Sequence, residues 1–129
     1  MAMKKDIEEM FSKSIEKYDI EALALTSKNG IPIASKLKKE NEHESFSTLS
    51  ATILGASEVI FSAFEKNQPE DILVKSNDSL LLIKETNSDS VIALLGNIKD
   101  EDELIEVLDD ISDKVKKIRE NSSKIEVTQ

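Results

Sequence analysis

Two continuous apolar runs constrain the fold of this chain most strongly. They are Leu80-Leu81-Leu82-Ile83 and Val91-Ile92-Ala93-Leu94-Leu95, and the turn-forming residues 86–89 separate them. Successive side chains of a strand point to opposite faces of its sheet, so a run that is apolar throughout predicts a strand covered on both sides. The sequence therefore predicts a sheet that lies between two layers of other elements.

Three further segments are predicted to be strands, at about residues 20–26, 31–37 and 72–74. Asn29-Gly30 separates the first two and predicts a tight hairpin turn with positive φ at both central residues. Pro32 has no N–H to donate to a neighbouring strand, so the second arm of this hairpin is expected at an edge of the sheet.

Helical spacing of apolar residues predicts helices at about 4–18, 44–66 and 100–120. The sequence thus predicts one α+β domain with the order α-β-β-α-β-β-β-α at residues 1–120, followed by a loosely held C-terminal tail at 121–129. The terminal helices are expected on one face of a mostly antiparallel sheet and the long middle helix on the other. One row of the middle helix is expected to face the sheet: Phe46, Leu49, Ile53, Ile60 and Phe64.

The composition argues against several classes of partner. The net charge is −9, which disfavours nucleic acid and anionic membrane surfaces. The chain has no cysteine, which excludes disulfides and thiolate metal sites. No apolar run is expected to reach the roughly 18 residues of a membrane helix, and the N-terminus does not resemble a signal peptide. We therefore expect a cytoplasmic protein without membrane insertion.

No pattern of catalytic residues is present. Gly30, Gly55 and Gly96 are too far apart for a phosphate-binding loop. His43 is the sole histidine and cannot form a two-histidine metal site. The carboxylates all fall in charged runs, without a pair in an apolar context. We therefore expect a non-enzymatic protein with no catalytic, metal-binding or cofactor-binding residues.

The opposite side of the middle helix is unusual because its residues are small and nearly uncharged. Gly55 there costs up to about 1 kcal/mol relative to alanine, yet small residues permit close approach of another helix. Alternatively this row faces water or is covered by the same chain. The strand at 72–74 has no proline and invites pairing if it lies at an edge. The predicted interface of an isologous dimer is Thr48, Ala51, Gly55, Val59, Ser62, Ile72, Leu73 and Val74.

Four segments together resemble the Roadblock/dynein light chain family. They are "ALALTSKNGIPIAS" at 22–35, "SATILGASEVIFSAF" at 50–64, "DILVKSNDSLLLIKE" at 71–85 and "VIALLGN" at 91–97. The resemblance implies a five-stranded antiparallel sheet with the middle helix on one face. It also implies a homodimer, or a heterodimer with a second Roadblock protein, in which the strand after the middle helix pairs with its copy.

The resemblance further implies a function. Family members bind or regulate Ras-like small GTPases, or serve as dimeric adaptors, so a GTPase-activating partner or a scaffold without effect on GTP hydrolysis are both expected roles. Arg119 is the only arginine and falls late in the last helix, so an arginine finger is not expected. A longin- or profilin-like domain in trafficking or assembly is a third alternative, although longin sheets begin at the N-terminus whereas here a helix comes first.

Overall fold

The computed structural model describes residues 2–39, 43–97 and 100–128. It confirms the predicted single α+β fold and the predicted order of its elements. These are α1 (Ala2–Tyr18), β1 (Ile20–Ser27), β2 (Pro32–Leu37), α2 (His43–Ala63), β3 (Asp71–Lys75), β4 (Ser79–Thr86), β5 (Ser90–Asn97) and α3 (Glu101–Thr128). The strands form one sheet in the order β2-β1-β5-β4-β3, with every neighbouring pair antiparallel. The sheet edges are therefore β2 and β3.

Helices cover both faces of the sheet, as the apolar runs require. The larger cluster of buried side chains joins α1 and α3 to one face and includes Phe11, Leu23, Ile92 and Ile111. The smaller cluster on the other face joins Leu54 of α2 to β4 and β5. Because the side chains of β4 and β5 alternate between these two clusters, neither strand has a polar face to expose.

The hairpin between β1 and β2 does not use the predicted two-residue turn. Gly30 N–H donates to Ser27 C=O at 2.9 Å, and Ser27 N–H donates to Ile31 C=O at 2.9 Å. Of the turn residues only Gly30 has a positive φ, 87°, so the prediction of two positive φ angles is wrong. The register shift between Leu25 and Thr26 fits a three-residue turn with a bulge. Pro32 does begin an edge strand, as predicted.

The orientation predicted for α2 is wrong for most of its apolar row, although Phe46 and Ile53 of that row are half-buried against the smaller cluster. The helix rests on the sheet through Ser47, Ser50, Ala51 and Leu54, which are at most 6% exposed. In contrast, Leu49, Ile60 and Phe64 of the row expected to face the sheet are 60%, 58% and 73% exposed. The physical reason lies in β1, whose buried side chains towards α2 include only Ala22, Ala24 and Thr26. A row of small residues on α2 can approach these small side chains closely.

The C-terminal end of α2 and the N-terminal end of α3 have well-defined caps. Glu65 adopts a φ of 57° just after α2, and Lys66 N–H donates to Phe61 C=O at 2.9 Å, which is the bond expected of a left-handed C-terminal cap. Asp100 caps α3 by accepting the Glu103 N–H at 3.2 Å.

The predicted end of α3 near residue 120 is wrong, since the helix continues to Thr128. The division into a domain at 1–120 and a tail at 121–129 stays a prediction.

The apolar character of α2 exceeds the expectation from the sequence. Its segment Ser45–Ala63 has a mean hydropathy of 1.3 and is long and apolar enough to cross a membrane, by length and composition alone. The expectation that no run has this length is therefore wrong. Only 22% of this segment is buried within the chain. The high hydropathy thus reflects apolar side chains that the fold leaves exposed.

Candidate interaction surface

Exposed apolar side chains of α2 and β3 form the main candidate site, which we call the α2–β3 surface. Its exposed members are Leu49 and Ile60 on α2, Phe64 directly after α2, and Val74 on β3, which is 49% exposed. The half-buried Ile53, Ile72 and Leu81 pack against one cluster with Leu54 and Ile83 and connect the two elements. Large apolar side chains grouped in this way are typical of a protein–protein contact.

The edge of β3 also presents backbone groups. Glu85 N–H donates to Glu70 C=O at 3.4 Å, and Ser76 N–H donates to Ser79 C=O at 3.0 Å. Backbone groups in an antiparallel pair alternate between facing the partner strand and facing away from it. Since residues 70 and 76 face β4, so do residues 72 and 74. The N–H and C=O groups of Asp71, Leu73 and Lys75 therefore point to the free edge.

The structure separates the predicted interface residues of α2 from the α2–β3 surface. Thr48 Oγ1 donates to Gly30 C=O at 3.3 Å, which places the Thr48 side of the helix over the β1–β2 hairpin. Gly55 lies two turns along this side, and a Cβ built there meets no atom within 4 Å. Val59 and Ser62 are exposed, whereas Ala51 is only 6% exposed because it packs on the sheet.

The predicted interface residues of β3 lie on an edge strand, which is the position that the predicted pairing with another chain requires. Leu73 and Val74 are 43% and 49% exposed, and Ile72 is half-buried. Their role as an interface stays a prediction, as does that of the α2 residues. Sequence reasoning missed Leu49, Ile60 and Phe64 as surface residues, because it assigned the larger apolar row to the core. The sequence did contain a sign that α2 has exposed apolar surface, since the large side chains of Val59 and Phe61 lie outside that row.

Ion pairs connect the sheet to the helices on both faces. Lys28 Nζ lies 3.2 Å from Glu85 and 3.5 Å from Glu58 of α2. Desolvation lowers the pKa of Lys28, but the hydrogen bonds and charges of the two carboxylates outweigh it and raise the pKa overall. On the other face, a hydrogen bond to Asp109 raises the pKa of Lys84, with a Nζ–Oδ1 distance of 2.6 Å.

Arg119 holds the late turns of α3 to the β4–β5 turn. Its Nη1 donates to Ser90 Oγ at 2.8 Å, and its Nη2 lies 3.3 Å from Asp89 Oδ2. The Asp89 pKa is lowered by the hydrogen bond from Ser90 and, after an opposing effect of desolvation, by Arg119. The lone guanidinium is therefore engaged within the fold.

Grooves on the α3 side of the sheet are open and carry mixed charge. The groove between α1 and α3 is lined by both cationic and anionic side chains, among them Lys13, Lys17, Glu106 and Asp110. In the ranges 2–39, 43–97 and 100–128, no group of three or more Asp, Glu or His side chains is arranged to hold a metal ion. His43 is the first residue of α2, and its side chain lies outside the described part of the chain.

The fold and sequence together define the class of this chain. The Roadblock/LC7 domain matches residues 6–96, so the chain belongs to the Roadblock/LC7 family. The family resemblance seen in the sequence is thereby confirmed. No curated protein is a significant sequence match to the chain.

Solved structures of Roadblock/LC7 proteins share the fold. MglB of Myxococcus xanthus is 19% identical with a TM-score of 0.77, over 90% of this chain and 96% of that one. An MglB with tetrameric arrangement is 13% identical with a TM-score of 0.79, over 94% and 93%. A Roadblock/LC7 domain from Streptomyces avermitilis is 13% identical with a TM-score of 0.74, over 90% and 97%. At these identities the likeness establishes the fold.

Proposed function

We propose that this chain is a non-enzymatic Roadblock protein of the cytoplasm that forms a homodimer through the α2–β3 surface, and that the dimer binds a Ras-like small GTPase. The observation that carries this proposal is the exposed apolar surface itself, in a chain of this family. Removing apolar side chains from water is favourable by about 25 cal/mol per Å². A second copy that covers α2 and β3 would remove these side chains from water on both chains at once.

The geometry suits an isologous contact. A twofold axis beside β3 would bring the two free edges together and the two α2 helices to the same side of a joined sheet. The tetrameric arrangement of one MglB supports association between Roadblock chains. The partner in this proposal is a second copy, and a second Roadblock protein is the alternative.

The GTPase part of the proposal rests on the family. The dimer would act as a GTPase regulator, but Arg119 is already bound to Asp89 and Ser90 and so supplies no arginine finger. Any stimulation of GTP hydrolysis would then arise from positioning of the GTPase's own catalytic groups. The net charge of −9 would speed encounter with a basic face of the GTPase.

The same engagement of Arg119 favours a second candidate function, a dimeric scaffold that binds the GTPase without changing its turnover. The two functions differ in one measurable quantity, the rate of GTP hydrolysis at saturating Roadblock protein. They agree on the dimer and on GTPase binding.

The test uses the full chain and a Ras-like GTPase from the same organism. Light scattering should give about twice the 14.4 kDa chain mass, and titration calorimetry should detect the GTPase loaded with a non-hydrolysable GTP analogue. Faster turnover supports the regulator, and binding with unchanged turnover supports the scaffold. Absence of binding to every Ras-like GTPase of that organism contradicts the GTPase proposal, and a monomer contradicts the dimer.

A further inference from the structure

We infer that the two β3 strands of the dimer pair in a single register centred on Leu73, and that Asp71 and Lys75 specify it as a pair of self-recognition charges. This inference rests on the proposed homodimer, but it goes further because it names which residues of one copy select the other copy.

The backbone restricts the possible registers. In an antiparallel pair, residues whose N–H and C=O groups face the partner must stand opposite residues that also face it. On the free edge these are Asp71, Leu73 and Lys75, so an isologous pair must be centred on a single residue of β3. Centring on Leu73 overlaps all of Asp71–Lys75 with the same strand of the partner.

The side chains then select this register. With Leu73 opposite Leu73 of the partner subunit, Asp71 stands opposite Lys75 of the partner subunit, and the reverse pair forms across the twofold axis. Opposite charges directly across two strands stabilise the pairing, whereas like charges destabilise it. On the α2 side, Ile72 stands opposite Val74 of the partner subunit, which joins the two apolar surfaces.

Charges already present beside β3 extend the pattern. Lys75 Nζ lies 2.9 Å from Glu101 Oε2 of α3, and Asp71 is the cross-strand partner of Lys84. In the proposed register the order across the interface is Glu101, Lys75, Asp71 of the partner subunit and Lys84 of the partner subunit. The signs alternate at every step, so no charge in this series adjoins another of the same sign.

Shifted registers lose this match. Centring the pair on Ile72 would place Asp71 opposite Leu73 of the partner subunit and Lys75 opposite Pro69 of the partner subunit. Centring it on Val74 would place Leu73 opposite Lys75 of the partner subunit. Each shift leaves a charge facing an apolar side chain and shortens the overlap of the strands. A Roadblock chain without the same spacing of acid and base would likewise pair less well.

The experiment is a charge exchange between two variants of the full chain. Asp71→Lys alone and Lys75→Asp alone each create like-charge pairs on both sides of the twofold axis. We expect each to raise the dimer dissociation constant about tenfold. Mixing the two variants restores opposite charges at both positions, so native mass spectrometry should show the heterodimer in excess over random exchange.

Matched controls carry the same charge changes far from β3. Glu16 on α1 and Lys39 after β2 are exposed positions towards the β2 edge of the sheet, so a mixture of Glu16→Lys and Lys39→Asp should exchange at random. Circular dichroism checks that each variant folds. If a reversed charge prevents folding, the neutral variants Asp71→Asn and Lys75→Gln take its place, and combining them should weaken the dimer less than the sum of the single effects.

Each outcome decides the inference. Heterodimer excess for the β3 variants alone supports the register. A wild-type dimer whose β3 variants do not prefer each other, whether or not they weaken it, overturns the register and leaves the dimer in place. A wild-type monomer overturns both proposals.

Discussion

The two edge strands of the sheet, β2 and β3, differ in how far the rest of the chain protects them from pairing with another strand. β2 begins with Pro32, and both α1 and α2 pack on it. Its Ser35 N–H donates to Glu8 Oε2 of α1 at 3.1 Å. β3 contains no proline, and its Leu73 and Val74 remain 43% and 49% exposed. An edge with a proline and an occupied donor resists further pairing, whereas β3 keeps its donors and acceptors available.

This difference indicates that individual residues at each edge determine whether that edge is protected. The carboxylate of Glu8 satisfies a backbone donor that would otherwise attract a strand. On β3 the equivalent donors point to the free edge beside apolar side chains. Four changes test whether β2 and β3 differ in this way.

The largest effect is expected from Leu73→Pro. The Leu73 N–H faces away from β4, so proline leaves the β3–β4 pair intact but removes a donor to the partner strand. We expect the dimer dissociation constant to rise about a thousandfold, since two strand hydrogen bonds and a central contact are lost. The matched change on the other edge, Ser35→Pro, should leave the dimer intact. Sedimentation measures both, and a dimeric Leu73→Pro variant would exclude β3 as the interface.

The second change asks which row of α2 faces the partner. Ile60→Asp places a charge on the α2–β3 surface and should raise the dimer dissociation constant about a hundredfold, because an apolar side chain is lost from both copies. Gly55→Lys places a charge on the row over the hairpin and should leave the dimer unchanged. Light scattering across a dilution series compares them. The reverse ranking would favour the interface predicted from the sequence.

The third change removes the protection of β2. Glu8→Ala leaves the Ser35 N–H without its carboxylate acceptor and should lower the free energy of unfolding by about 1 kcal/mol. Urea denaturation measures this loss, and the dimer should persist. Glu9→Ala, at an exposed position of α1, is the control. Equal stabilities of the two variants would show that Glu8 contributes nothing at this edge.

The smallest effect concerns the ion pair that connects α3 to β4 beside β3. Lys84→Met should lower the free energy of unfolding by about 0.5 kcal/mol at pH 7, since the pair is partly exposed. The folded-state pKa of Lys84 is raised above 10.5, so its contribution is fully present below that pH and is lost as the pH rises through the raised pKa. Wild type and variant should therefore converge at high pH. A difference that persists there, or one equalled by Lys39→Met, would contradict this assignment.

The sequence was sufficient to predict the strands of the sheet and one of its edges, because the patterns that indicate them lie within short segments of the chain. The runs at 80–83 and 91–95 required cover on both faces, and Pro32 required an edge. The three-residue hairpin turn was missed because Asn29-Gly30 is compatible with more than one turn type. The choice depends on the bulge at Leu25 and Thr26, which in turn depends on pairing with β2.

The orientation of α2 could not be read from its own residues. Periodicity shows that Leu49, Ile53 and Ile60 share a side, but it does not show whether that side meets the same chain or another. The outcome depends on what lies opposite, and here Ala22 and Ala24 of β1 admit the small row with Ser47. The contact of Arg119 with Asp89 could not be predicted from the sequence either, since the two residues are separated by 30 positions in the chain.

The engagement of Arg119 also makes the fold accessible to a simple chemical probe. An arginine-specific protease has one cleavage site in this chain, after Arg119. The guanidinium must leave Asp89 and Ser90, and the helix around it must open, before the bond can enter a protease. The rate at which that single cut forms its two fragments therefore reports local opening of α3 around Arg119, and the same rate measured with a partner bound would tell whether the partner slows it.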